Sequence, residues 1–497
     1  MKLGNRIREA VDSVRTGLLG GSRLKGHLLR GGTWLGIGGV SEQLFRFARN
    51  IVLTRLLAPE AFGIMAIVYS TSYVVDSFAQ IGMKEAIIQN PKGHEPSYVN
   101  SAWWLGFVRG VGIYALMFTI APWVGSFYGH PELTPLMRTA LLGIVFTGAQ
   151  SPKAFVALKE MKFKKWTIIQ SASGLLGSMI VVLLAFAVRS VWALAIGYAA
   201  ENLIRCVVSY ALCPFRPRVE LDKDAVRGLL AFSRGVFGLS FLNLIFSRAD
   251  IFVLGKMYPA SDLGVYTMAV YLVQVPTSFV IGVLSQTLLP SFAQMQDDKS
   301  RMNGIVNRVT AILVILGLPA LIFIVLSSSS ILSVVYGPRY LAAASILTIA
   351  ALVALVDIIN NVITVIFYAI GRPQFHRRCV LVMAVVMLVL IYPAVKQFGL
   401  LGGQIAALVA IIAGFASQLL RLGRLTGLDL SQYGRTFPFT LAVSLGVLLV
   451  TLVMRHFWSV SNPMASLVSG LLACALTLVV FSKQLIRQVA SKPSLNP

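Results

Sequence analysis

A chain of 497 residues with 57% hydrophobic and only 12% charged residues, and a mean hydropathy of +0.78, is too apolar for a water-soluble fold, since soluble domains carry roughly 25% charged residues. The formal charge of +24 would suit a phosphate backbone, but the cations lie in short loops between apolar stretches, with no aromatic-interleaved basic patch. That distribution excludes a nucleic-acid binder and reports membrane orientation, and it leaves room for an anionic cargo.

The first thirty residues carry Lys2, Arg6, Arg8, Arg15, Arg23, Lys25 and Arg30 without an apolar core and cleavage site, so no cleaved signal peptide is expected. Leu3, Ile7, Val11, Val14 and Leu18 recur at helical spacing, which predicts a basic amphipathic segment over 1–30 on the cytoplasmic surface. Apolar windows of roughly 20 residues, the length of a membrane span, then follow one another. They predict helices over 32–57, 61–82, 101–127, 133–157, 166–188, 190–213, 228–256, 263–289, 305–335, 341–369, 375–396, 400–422, 436–456 and 464–483. The fold class is therefore an all-α integral membrane protein with about fourteen transmembrane helices.

Odd-numbered connections hold about one basic residue each, among them Arg55, Arg138, Arg189, Lys256 and Arg339. Even-numbered ones hold several: Lys159, Lys162, Lys164 and Lys165, then Arg216, Arg218, Lys223 and Arg227, then Arg372, Arg377 and Arg378. By the positive-inside rule both termini are expected on the cytoplasmic side. External loops are short and leave no domain for catalysis. HxxxxD, GxSxG and Walker A patterns are lacking, and the single DxD, Asp222-Lys223-Asp224, reads as a solvated loop. An enzyme is not expected. Cys206, Cys213, Cys379 and Cys474 lack metal-ligand or disulfide spacing, so neither a metal nor a cofactor is expected.

The chain repeats itself. Residues 48–63, ARNIVLTRLLAPEAFG, match 249–264, ADIFVLGKMYPASDLG: Leu53 meets Leu254, Arg55 meets Lys256 and Gly63 meets Gly264. Tyr128-Gly129 after the third span matches Tyr336-Gly337 after the ninth. Phe155-x-Ala157 with Phe163-Lys164-Lys165 matches Phe367-x-Ala369 with Phe375-His376-Arg377. The offset drifts only from 201 to 212 residues. Six spans separate the copies, so the repeat is parallel and predicts two six-helix lobes, related by a pseudo-twofold axis along the membrane normal, around a central cavity. The expected organisation is an N-lobe over 31–213, a cytoplasmic linker over 214–227, a C-lobe over 228–423, two extra helices over 436–484 and a cytoplasmic tail over 485–497.

Residues 49–66, RNIVLTRLLAPEAFGIMA, the two TyrGly turns and the layout of two six-helix lobes plus two helices resemble the Wzx-type flippases. These form the polysaccharide transporter branch of the multidrug/oligosaccharidyl-lipid/polysaccharide exporter superfamily, and the resemblance spans about residues 30–485. It implies a V-shaped transporter of the bacterial inner membrane that works by alternating access without ATP. Its implied cargo is an undecaprenyl-diphosphate-linked oligosaccharide repeat unit, moved from the cytoplasmic to the periplasmic leaflet for exopolysaccharide, capsule or O-antigen assembly beside a polymerase or export machinery. Flipping of the peptidoglycan lipid precursor, whose headgroup is also a diphosphate, and cation-coupled drug export are the rival readings.

Ionisable side chains inside spans are costly in lipid and should face a wet cavity or one another. Glu42, Arg46 and Arg49 fall on one face of the first span. Arg109, Arg234, Arg248 and Asp250, and Glu201 with Arg205, add further charges at depth. Arginine forks suit a diphosphate, which makes Arg46, Arg49 and Arg248 the expected anchors, supported by Arg109 and Arg234. Internal pairing of Glu42 with Arg46 and of Glu201 with Arg205 is the alternative. Glu42, Asp76, Glu201 and Asp357 are candidates for coupling transport to a proton or sodium gradient. Gln150-Ser151 and Asn360-Asn361 fall in corresponding halves, where sugar contact competes with interhelical hydrogen bonding.

Overall fold

In lipid every backbone group must find its partner within the protein, and helices meet that demand locally. The computed structural model describes residues 23–79, 83–219 and 221–434, and between 438 and 475 only scattered helical residues, of which 467–475 is the longest run. Residues 1–22, most of the two extra helices expected over 436–484, and the tail over 485–497 lie outside the described residues.

The described part holds helices and connecting turns and no strand. The first half runs α1 (Arg23–Leu56), α2 (Pro59–Ala79), α3 (Met83–Gln89) and α4 (Pro96–Tyr128). It continues as the short α5 (Leu133–Ala140), α6 (Leu142–Gly148) and α7 (Lys153–Lys159), then α8 (Phe163–Val188) and α9 (Trp192–Leu212). The second half runs α10 (Lys223–Met257), α11 (Ala260–Ala293) and α12 (Lys299–Val335), then a 3-10 turn (Pro338–Ala343) that leads into α13 (Ala344–Ala369). After these come α14 (Pro373–Phe398), α15 (Leu401–Thr426) and the short α16 (Leu430–Gly434). Seven of the described helices are long and apolar enough to cross a membrane, eight if the bent pair 133–148 and 153–159 makes one span. Helices α1, α9 and α10, which carry the ionisable clusters, are among those outside that count.

The two halves pack by one scheme. In the first lobe α1 lies on α8, α8 on α9, α9 on α6 and α4 on α6. In the second, α10 lies on α14, α14 on α15, α15 on α13 and α12 on α13. These are the same contacts moved on by six spans, as a parallel repeat requires. The lobes meet where α2 lies against α11 and α10, with α4 against α10.

The motifs that reveal the repeat in the sequence are the ones that join the lobes. A Cβ on Gly63 would stand 1.9 Å from the Ala260 carbonyl oxygen, and a Cβ on Gly264 would stand 1.8 Å from that of Pro59. Hydrogen in place of a side chain thus lets α2 and α11 cross backbone on backbone at their first turns. Beside the crossing, the Arg55 guanidinium donates to the carbonyls of Val334 (2.6 Å) and Ser333 (3.3 Å) at the end of α12. Lys256 reciprocally donates its Nζ hydrogen to the Phe127 carbonyl at the end of α4. Each cation sits where the opposite lobe presents unpaired helix-end carbonyls and the negative end of a helix dipole. The TyrGly turns follow those same helix ends. Gly129 has φ 75° and Gly337 φ 106°, a region that L side chains enter only with strain.

Three local features differ from the sequence expectation. The fourth span, expected as one helix over 133–157, bends by 56°, because Pro152 lacks an N–H and cannot continue the ladder. The groups freed there are met by α9: Ser151 N–H donates to Ser209 Oγ at 3.0 Å, and Ser151 Oγ donates to the Cys213 carbonyl at 2.7 Å. The linker expected over 214–227 gives way to α10 at Lys223, where Asp222 Oδ1 accepts from the N–H groups of Asp224 and Ala225 at 2.8 and 3.2 Å. The DxD is therefore a helix N-cap. Residues 23–30, expected within the surface segment, form the beginning of α1.

Candidate functional site

Two helical glycines of α8 create the room for the charges. A Cβ on Gly174 would meet Glu42 Cγ at 3.2 Å, and one on Gly177 would meet Glu201 Cβ and Cγ at 2.7 Å. These positions are one turn apart on one face, so α1 and α9 can each lodge a carboxylate against α8. The arginines gather on them. Arg46 Nη2 donates to Glu42 Oε1 at 3.1 Å and also contacts Glu201 Oε1. Arg49 Nη1 lies 3.4 Å from Glu201 Oε2, and Arg205 Nη2 lies 3.2 Å from Glu201 Oε1. Glu201, with only 7% of its side chain exposed, is the hub. Three guanidinium groups against two carboxylates leave an excess positive charge in a low-dielectric setting, where it acts more strongly than in water.

This network forms one wall of a cavity of about 420 Å3 between the lobes. Arg46, Arg49, Tyr69 and Tyr198 line it from the N-lobe, and Arg248, Asp250, Tyr266 and Tyr271 from the C-lobe. The Arg248 guanidinium reaches across the interface to within 5.3 Å of the Tyr73 ring on α2. Its buried Nε has no hydrogen-bond partner among the described residues. Such a donor is costly until something accepts from it. Asp250, in contrast, is satisfied: Oδ2 accepts from Tyr266 OH at 2.6 Å and Oδ1 from Ile251 N–H at 2.8 Å, while Tyr266 OH accepts from Gln404 Nε2 at 2.7 Å.

Of the residues singled out from the sequence, Arg46, Arg49, Glu201 and Arg248 come together on this cavity, with Glu42 and Arg205 joined to it through the ion network. Arg109 on α4 does not line it, and Asp357 on α13 lies elsewhere in the C-lobe. Asp76 and Arg234 lie on α2 and α10, but their side chains fall outside the described residues. Asn361 accepts from Ser285 Oγ at 3.1 Å, which with Ser151 fits the interhelical reading of those polar pairs. The sequence reading missed the hub role of Glu201, the glycine pair on α8, and the Asp250–Tyr266–Gln404 chain. Gln404, one of two amides with Gln418 in an apolar span, was the available signal for the last of these.

Two parallel six-helix lobes around a cation-lined cavity define a transporter of the multidrug/oligosaccharidyl-lipid/polysaccharide exporter type. The fold matches the lipid II flippase MurJ in an inward closed conformation, with a TM-score of 0.73 and 12% identity over 92% of this chain and 99% of that one. It also matches an inward-facing multidrug resistance transporter of the MATE family, with a TM-score of 0.59 and 15% identity over 79% of this chain and 99% of the other. Within that class, the profile of the polysaccharide biosynthesis protein family matches residues 52–345, and the chain belongs to this family as a Wzx-type flippase. Among relatives, the lipopolysaccharide biosynthesis protein WzxC of Escherichia coli K12 is 23% identical over 79% of this chain and 78% of its own. The succinoglycan biosynthesis transport protein ExoT of Rhizobium meliloti is 24% identical over 62% of each chain. The teichuronic acid biosynthesis protein TuaB of Bacillus subtilis is 23% identical over 76% of this chain and 80% of its own. The family is one of transporters rather than of catalysts, and its members are multi-pass membrane proteins.

Proposed function

We propose that this chain flips an undecaprenyl-diphosphate-linked oligosaccharide repeat unit from the cytoplasmic to the periplasmic leaflet of a bacterial inner membrane, for surface polysaccharide assembly. The observation that carries this reading is the arginine excess of the inter-lobe cavity, with Arg248 holding an unmatched donor opposite Arg46 and Arg49. A diphosphate offers several anionic oxygens in one small group, and arginine forks grip it with paired charge-assisted hydrogen bonds. The names of the relatives, which concern lipopolysaccharide, succinoglycan and teichuronic acid, support a glycan cargo.

The ion network supports an exchange cycle. A diphosphate entering the cavity competes with Glu201 and Glu42 for Arg46 and Arg49. The carboxylates so released would be buried charges without cations, a costly state that a proton or sodium ion relieves. Release of the cargo restores the pairs. Coupling through Glu201 and Glu42 follows from this exchange, while Asp357 and Asp76 stand outside the network as secondary candidates. On the positive-inside orientation, the face closed by the Gly63–Gly264 crossing and by Arg55 and Lys256 would be the periplasmic one, and loading would take place from the cytoplasm. Opening that face and closing the other completes alternating access.

Deletion of the gene, with assay of surface polysaccharide and of radiolabelled undecaprenyl-linked intermediates, tests the proposal. Loss of polymer with accumulation of complete repeat units on the cytoplasmic face is the expected result. Unchanged polymer and intermediates would refute it, and growth arrest with normal polymer would redirect the cargo to the peptidoglycan precursor.

A further inference from the structure

A second and larger hollow, of about 950 Å3, lies at the other end of the N-lobe. The first turn of α4 borders it, whereas the last turn of α4 carries the Phe127 carbonyl held by Lys256. The 33 residues of α4 put about 50 Å between those ends at 1.5 Å per residue. The hollow therefore lies on the face that the positive-inside rule assigns to the cytoplasm, and it is separate from the cargo cavity.

Its charge is one-sided. Lys153, Lys162, Lys165, Arg216 and Arg218 line it against a single carboxylate, Glu160. Lys162 takes up that carboxylate at 2.6 Å, and Lys165 Nζ donates to the Leu212 carbonyl at 3.0 Å. Lys153, Arg216 and Arg218 have no carboxylate partner among the described residues. Cations that serve only to orient a membrane protein need not converge, yet these reach one hollow from α7, the turn after it, α8 and the linker that follows α9.

The linker is held in place. Arg218 N–H donates to Asn100 Oδ1 at 2.8 Å, and the Arg218 carbonyl accepts from Asn100 Nδ2 at 2.6 Å and from Trp104 Nε1 at 2.7 Å. Four residues on, Asp222 N–H donates to Ser101 Oγ at 2.9 Å. This bracket fixes the backbone that carries Arg216 and Arg218 against α4, so their charges face the lysines before any ligand arrives. Preorganisation of that kind lowers the ordering cost of binding. Val156 and Phe215 add apolar surface to the wall, which suits the first carbons below a headgroup rather than a free ion alone.

We propose that this hollow binds the phosphate headgroup of a lipid in the cytoplasmic leaflet. The same chemistry is offered by an anionic phospholipid of the bilayer and by the diphosphate of the carrier lipid, for which the hollow would be a station before the central cavity. In either case the occupant ties the segment that joins the two lobes to α7 and α8. The inference does not depend on the flippase reading, since it concerns binding and not transport.

The full-length protein in a neutral detergent is titrated with phosphatidylglycerol, undecaprenyl diphosphate and phosphatidylcholine, with native mass spectrometry reading the number of molecules bound and their affinities. The variant Lys153→Gln/Arg216→Gln/Arg218→Gln is compared with Arg372→Gln/Arg377→Gln/Arg378→Gln, which removes equal charge from a connection of the C-lobe on the same face. Each surface cation contributes on the order of 1 kcal/mol to holding anionic lipid. The first variant should therefore weaken one bound anionic lipid at least about tenfold, while the second leaves that molecule bound. Loss of phosphatidylglycerol alone identifies a phospholipid, and loss of one undecaprenyl diphosphate alone identifies the carrier. Equal affinities in the first variant and the wild type, equal losses in both variants, or binding no tighter than that of phosphatidylcholine would overturn the inference. Melting curves of both variants establish that folding is intact, and Lys153→Arg/Arg216→Lys/Arg218→Lys should restore binding if the first variant is unstable.

Discussion

Replacing Gly63 by alanine should unlock the end of the transporter at which α2 and α11 cross. The added Cβ would stand 1.9 Å from the Ala260 carbonyl oxygen and 2.8 Å from its carbon. A tolerable carbon–oxygen approach is about 3.3 Å, so the two backbones must part by about 1.4 Å. Neither contact is a side chain that can rotate away. Over-packing of this kind costs about 1–3 kcal/mol, and the cost falls only on the conformation in which α2 and α11 cross. The closed state should lose a factor of about 5–150 in population relative to the open one. The assay is electron–electron resonance between spin labels at Glu132→Cys and Arg339→Cys, both exposed and on opposite lobes at the closed end, in a background lacking the four native cysteines. A longer-distance component should appear or grow in Gly63→Ala. An unchanged distance distribution in a normally folded variant would refute the reasoning, because the crossing would then have absorbed the methyl group without parting.

Gly264→Ala should give the same shift, since its Cβ meets the Pro59 carbonyl oxygen at 1.8 Å, and a response confined to one of the two glycines would contradict a symmetric gate. Arg55→Ala with Lys256→Ala should move the same distance distribution in the same direction but less far, as exposed charges at helix ends contribute only a few tenths to one kcal/mol. Tyr266→Phe leaves Asp250 and Gln404 without their shared partner and should lower stability by about 1–3 kcal/mol, read as a fall in melting temperature. An unchanged melting curve would mean that water replaces the hydroxyl.

The lobes were legible in the sequence because the residues that repeat are the residues that touch. Gly63 and Gly264 are conspicuous at a constant offset, and each faces the backbone beside the other. Arg55 and Lys256 match in the sequence, and each caps the helix that leads into the partner TyrGly turn. What sequence spacing cannot see is contact between helices far apart in the chain. The pairs Glu42–Arg46 and Glu201–Arg205 were evident as neighbours four residues apart, but their fusion into one cluster depends on Gly174 and Gly177 of α8, which a search for charges passes over. Asp250 meets Gln404 through Tyr266 across 154 residues of chain, and no local pattern announces it. The bend after Gly148 was hidden because an apolar window averages over Ser151 and Pro152. Those residues break the helix without lowering its hydrophobicity enough to split the span.

The central claim is that Arg46 and Arg49 exchange Glu201 for the diphosphate of a lipid-linked cargo. It is tested most directly by reconstituting the wild-type protein and Arg46→Gln/Arg49→Gln in liposomes and measuring translocation of a fluorescent undecaprenyl-diphosphate-linked oligosaccharide. With about 1.5–3 kcal/mol attached to each charge-assisted contact, the account predicts a rate at least about a hundredfold lower in the variant at equal protein incorporation. Translocation at the wild-type rate would contradict it.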